Sequence, residues 1–276
     1  MAVLNGNIPD KLPVVPQCFM LAVETAGMKI SDVNKNGRKM AEAHFISQEK
    51  YGYDGCVIDF DDATIAEAVG AKVIFRDDEP AIVDESEPVL KDLRDVYDLP
   101  IPDPFTSGRL NEWLEATRVL KEKIGDHVFI MGRADQGPFS IACLLRGTTQ
   151  FMMDLMTEDR QLIQDVLDYC RKVSAVFAKA QKDAGAHATS IGDALAGPNL
   201  ISPEMYRDFA WEPEKRLAEE VQAYGIPFSI HICGNTNGII KYPTNKEIIG
   251  AKPTNFPIIP FLEINWSFVA LRFSLW

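Results

Sequence analysis

His231 and Cys233 stand two residues apart at the end of the apolar run Ile226 to Ile232. Side chains at that spacing on a strand share a face, so an imidazole nitrogen and a thiolate sulfur can reach one ion. That donor pair suits zinc. Gly234 follows directly and lets the backbone turn tightly. A plainer reading competes, in which a buried histidine and a small apolar cysteine pack near a turn. Asp59, Asp61 and Asp62 crowd three acids after another short apolar run, Gly55 to Asp59. They make either a solvated helix N-terminus or a site, with Asp61 the catalytic candidate. Asp193, after Ile191-Gly192, is the second catalytic candidate: it either caps the following segment or aims a carboxylate at substrate or at a metal ligand. Asp193, Glu204 or a residue of the C-terminal tail could complete a metal site. His44, His127, His187 and Cys143 read as structural.

The elements that must carry these residues alternate. Helical patterns run over Lys35 to Tyr51, Ala63 to Val69, Gly108 to Ile124, Gly137 onward, Glu158 to Ala184 and Ser202 to Tyr224, the last with a kink at Pro213. Strand-like runs occupy 55–59, 71–75, 127–131, 188–191 and 226–232. Residues 76–106 are rich in acids and prolines and read as a surface excursion. Such alternation predicts a parallel α/β fold. The absence of a dinucleotide glycine fingerprint favours a (β/α)8 TIM barrel, whose chemistry gathers at the carboxyl ends of its strands. Lys241 to Trp276 breaks the pattern with four prolines and no regular period. At about 30 residues per β/α unit, that stretch is too short for the units still owed. The expected organisation is a barrel domain over residues 1–240, incomplete at its C-terminal end, and an irregular, non-homologous tail over 241–276.

Charge narrows the partners. With 40 acidic against 28 basic residues, the net charge of −12 repels nucleic-acid phosphates and anionic lipid. No apolar run approaches the roughly 20 residues needed to span a bilayer. Leu12 to Ala26 is interrupted by Pro13, Pro16 and Glu24, so it does not read as a signal core. The expectation is a cytoplasmic protein whose five scattered cysteines are free thiols or metal ligands.

From about Leu12 to Ile240 the chain resembles the uroporphyrinogen decarboxylase superfamily, and most closely its corrinoid-dependent (methylcobalamin:thiol) methyltransferase branch. The resemblance rests on Tyr51-Gly-Tyr-Asp-Gly55, on Asp61 with Glu67-Ala-Val-Gly70, and on Gly137-Pro-Phe-Ser140. Ile201-Ser-Pro203 with Tyr206, and His231-Ile-Cys-Gly234, complete it. It implies a (β/α) barrel, a zinc held by His231 and Cys233 with a second, downstream cysteine, and a corrinoid protein as partner. It also implies methyl transfer involving a small thiol or methoxylated compound. No cysteine follows Cys233, so the third ligand has no counterpart. The alternatives are uroporphyrinogen decarboxylase itself, or a degenerate barrel without catalysis. Decarboxylases share an Arg-Gln-Ala-Gly-Arg stretch that grips carboxylates; here that region reads Pro16-Gln-Cys-Phe-Met20. Their active-site aspartate matches Asp61, but their tyrosine and serine fall at Leu144 and Ala194.

Overall fold

A computed structural model describes residues 3–5 and 7–239. The expected tail over 241–276 therefore lies outside the described residues. In chain order the elements are α1 (Phe19–Thr25), α2 (Ile30–Val33), α3 (Gly37–Tyr51), β1 (Gly55–Val57), α4 (Thr64–Val69), β2 (Val73–Ile74) and β3 (Ile82–Val83). They continue with α5 (Leu110–Ile124), β4 (Phe129–Gln136), α6 (Pro138–Arg146), α7 (Thr148–Thr157), α8 (Arg160–Asp183) and β5 (Ala188–Gly192). The last are α9 (Pro203–Met205), α10 (Trp211–Ala223) and β6 (Phe228–His231). Four strands form one parallel sheet in the order β1-β4-β5-β6, as successive β/α crossovers require.

Three expectations about the elements need correction. The run 71–75 does not join the parallel sheet: its Val73–Ile74 core pairs antiparallel with Ile82–Val83, inside the stretch read as an excursion. Such a hairpin hides among acids because two residues carry too little alternation to stand out. That excursion also buries Leu90, Leu93 and Val96. The strand expected to end at Met131 runs on to Gln136. Finally, the irregularity ahead of α10 is a π-helical segment at Tyr206–Ala210 rather than a kink at Pro213 itself. Proline 213 cannot donate to the carbonyl four residues back, and the turn before it widens instead.

Two helices show how the sequence builds the layers around this sheet. The Asp159 side chain caps α8 by accepting from the amides of Gln161 (2.8 Å) and Leu162 (3.3 Å). Leu162, Val166, Tyr169, Val173 and Ala180 then form its buried stripe. On α5, Trp113, Leu114 and Leu120 are fully buried. Each large side chain so placed contributes about 1.5–3 kcal/mol. Gln181, buried on α8, accepts from Thr189 Oγ1 (2.6 Å) and donates to the Arg133 carbonyl (2.5 Å).

That last contact orients the sheet. Thr189 faces α8, and Gly132 pairs with it. By alternation Arg133, Ser190 and Gly192 point to the opposite, interior face. Gly192 pairs with His231, and Val57 pairs with Met131 two residues before Arg133. Arg133 pairs with Ser190, two residues before Gly192, and its side chain reaches forward to Gly192, so Asp59, Arg133, Gly192 and His231 gather on the interior side near the carboxyl ends of the four strands.

Candidate active site at the carboxyl ends of the strands

His231 closes β6 and Cys233 follows beyond it, so only the first of the pair is on the strand. Their side chains still converge: Nε2 of His231 lies 3.3 Å from Sγ of Cys233. His231 is half-buried, whereas Cys233 is exposed. Gly234 takes φ = +90°, and a Cβ there would overlap the Asn199 side chain. The turn after the thiol thus needs glycine both for its conformation and for its packing. Partial burial lowers the pKa of His231, and the Arg133 charge lowers it further. The Cys233 thiol is held above its ordinary value by desolvation and by Asp62, with Arg133 opposing. A neutral imidazole and a protonated thiol are the forms expected at neutral pH in the absence of metal.

The donor spacing fits a shared ion, since zinc bonds of about 2.0–2.1 Å to nitrogen and 2.3 Å to sulfur put such donors somewhat under 4 Å apart. Among the described residues no third His, Cys, Asp or Glu joins them in a metal-sized cluster. Neither suggested substitute is placed to help. Glu204 lies exposed on α9. Asp193 is fully buried and its carboxylate is occupied.

The carboxylate of Asp193 closes the N-terminus of α6. Its Oδ1 accepts from the Ser140 amide (2.7 Å) and hydroxyl (2.6 Å), and its Oδ2 from the Phe139 amide (3.3 Å). It therefore caps the helix that follows β4, not the segment that follows itself. Its own amide donates to the His231 carbonyl at 2.9 Å. One residue so ties a helix start to the strand end carrying the candidate ligand. Gly137 must lack a side chain here, because a Cβ would occupy the Asp193 carboxylate. Burial raises the Asp193 pKa to about 6, against the pull of the Ser140 and Phe139 donors. Beneath it Glu214 is buried, raised well above the usual carboxylate range by desolvation and then by Asp193, and bonded to the Tyr206 hydroxyl.

Asp61 is not the exposed helix-start acid that its neighbours suggested. Its side chain is 0% exposed, and Arg109 grips it from α5's cap position. Oδ1 also accepts from the Ala63 amide (3.0 Å) and the Thr64 hydroxyl (3.1 Å), anchoring the start of α4. Asp135 holds the same helix start through the Ile65 amide, 2.6 Å from its Oδ2.

The segment Arg133-Ala-Asp-Gln136 supplies the polar groups that sequence reasoning missed. Asp135 is buried at φ = +54°, a left-handed conformation that costs a non-glycine residue about 1–3 kcal/mol. Its Oδ1 has no hydrogen-bond partner, and burial pushes its pKa to about 8. Gln136 donates to Asp62 at 2.5 Å. Arg133 faces Asp59 across the strands, with Nε 3.3 Å from Oδ2. Their signal in the sequence was a charged pair at the end of a barrel strand, directly before Gly137-Pro138.

Comparison with known proteins agrees with this geometry. A family model described as Uroporphyrinogen decarboxylase (URO-D) matches residues 1–251. The methylcobamide:CoM methyltransferase MtbA of Methanosarcina mazei is 27% identical over 238 residues, covering 83% of this chain and 68% of its own length. A uroporphyrinogen decarboxylase of Syntrophotalea carbinolica is 26% identical over 212 residues, covering 75% and 59%. A solved methyltransferase from Methanosarcina mazei superposes with a TM-score of 0.79 at 27% identity, covering 87% of this chain and 70% of that one.

Proposed function

The chain belongs to the uroporphyrinogen decarboxylase family, and from its similarity to methyltransferases we propose that it is a methyltransferase of this superfamily. The reaction is transfer of a methyl group between a corrinoid, carried by a partner protein, and a small thiol or methoxylated molecule. The observation that carries the reading is the 3.3 Å approach of His231 Nε2 to Cys233 Sγ beside the interior side of a barrel-type sheet. The methyltransferase relatives add support.

In this reading His231 and Cys233 hold a zinc ion. Bound there, zinc favours the thiolate form of a thiol near neutral pH. Asp193 is a positioning residue: its amide fixes the His231 carbonyl while its carboxylate fixes α6. Asp61 acts at one remove, anchoring the start of α4 through the Ala63 amide and the Thr64 hydroxyl. A decarboxylase reading is less well supported, because the oxygens of its one matching residue, Asp61, are engaged by Arg109, Ala63 and Thr64.

The test is thiol-dependent loss of methylcobalamin, followed by absorbance, with zinc-loaded full chain. Turnover that disappears in Cys233→Ser supports the proposal. Absence of turnover with thiols, together with decarboxylation of a porphyrinogen, would reverse it.

A further inference from the structure

Glu214 is a buried carboxyl with one oxygen that no donor answers. It is 1% exposed on α10, and the Tyr206 hydroxyl donates to its Oε2. Its Oε1 has no hydrogen-bond partner. The carboxyl of Asp193, itself fully buried, lies within hydrogen-bond reach of it. Two ionised carboxylates offer each other only acceptors, so no bond forms between them without a proton. Burial and the neighbouring Asp193 charge both favour the unionised form of Glu214.

Asp193 has room for the bond. Three donors reach it, two on Oδ1 and one, at 3.3 Å, on Oδ2. An ionised carboxylate accepts about four. The helix also serves this arrangement. Tyr206 and Glu214 are eight residues apart, an offset that turns two side chains about 80° from each other on a regular α-helix. The π-helical turn at Tyr206–Ala210 absorbs one residue. The pair then stands as if seven apart, within about 20° of one line.

We infer that Glu214 is a neutral acid that donates its Oε1 proton to the Asp193 carboxylate and thereby positions the end of β5 against His231. The Asp193 amide holds the His231 carbonyl at 2.9 Å, and α10 leads into β6, which His231 closes. Glu214 thus ties the helix before β6 to the neighbouring strand end, and acts as a positioning residue. The place of the proton does not depend on the proposed methyl transfer. The consequence for the site rests on the reading of His231 as a metal ligand.

The test uses the full chain near neutral pH. Infrared difference spectra of wild type against Glu214→Gln should show an unionised carboxyl band that the variant lacks. An ionised carboxylate band in its place would overturn the inference. Glutamine keeps a donor toward Asp193 and an acceptor for Tyr206, so calorimetric zinc affinity of Glu214→Gln should stay close to wild type. Glu214→Leu keeps the bulk and removes both groups. It should lose about tenfold in zinc affinity, the usual scale for a group behind a ligand. An equal loss in Glu214→Gln, or wild-type affinity in Glu214→Leu, would overturn the positioning role. Should Glu214→Leu fail to fold, the infrared spectra and the Glu214→Gln titration still decide. Wild type that binds no zinc would count against His231 as a ligand, and the infrared spectra would then decide where the proton sits.

Discussion

Arg109 closes on Asp61 with two hydrogen bonds, Nη1 to Oδ2 at 2.7 Å and Nη2 to Oδ1 at 3.2 Å. The same guanidinium reaches Glu67 through Nε and the Asn34 carbonyl through Nη1, joining α2, α4 and α5. Asp61→Asn leaves a buried guanidinium half-paired, so it should cost about 3–5 kcal/mol. At about 2–4 °C per kcal/mol for a chain of this size, thermal unfolding should drop by roughly 6–20 °C. A melting temperature within 2 °C or so of wild type would show that the pair does not hold these helices together.

Gly137 and Asp193 form a second coupled pair. Gly137→Ala should destabilise by about 1–3 kcal/mol, because its methyl group meets the short, buried Asp193 side chain. In an Asp193→Gly background the same alanine should cost far less, although that background loses the α6 cap. A double-mutant cycle in denaturant reads the coupling. Additive effects would mean that the glycine answers to something other than Asp193.

Asp135 should make stability fall as pH rises. Its carboxyl titrates near 8 in the folded chain and near 3.8 when unfolded. The native state therefore binds the extra proton between those values. Its stabilising contribution is complete below the unfolded pKa and is lost as pH climbs through about 8, with a slope of about 1.4 kcal/mol per pH unit. Asp135→Asn, which keeps the size and removes the titration, should flatten that part of the unfolding profile relative to wild type. Parallel profiles between pH 5 and 8 would contradict this.

Zinc uptake should depend on both candidate ligands. Calorimetric titration of Cys233→Ser and of His231→Ala should each show affinity at least about tenfold below wild type, since each removes one of two closely placed donors. If either variant matches wild type in stoichiometry and affinity, that residue is no ligand.

The sequence by itself determined the alternation of helix and strand and the spacing that brings His231 and Cys233 together. Those are local matters, written in periodicity and in residues two to four apart. Tertiary structure alone decided the roles of the buried charges. Asp61 reads as a solvated acid until Arg109, 48 residues later, is folded against it. Asp193 looks outward until Ser140, on a helix before it in the chain, turns its amide inward. Arg133 and Asp135 look like loop residues because a strand seldom ends in charges. They become intelligible only when Asp59 stands just beyond the end of the neighbouring strand and Gly192 leaves room beside them. The reason is physical. An isolated charge gives no periodic signal, and the cost of burying it depends on groups that only the completed fold brings within reach.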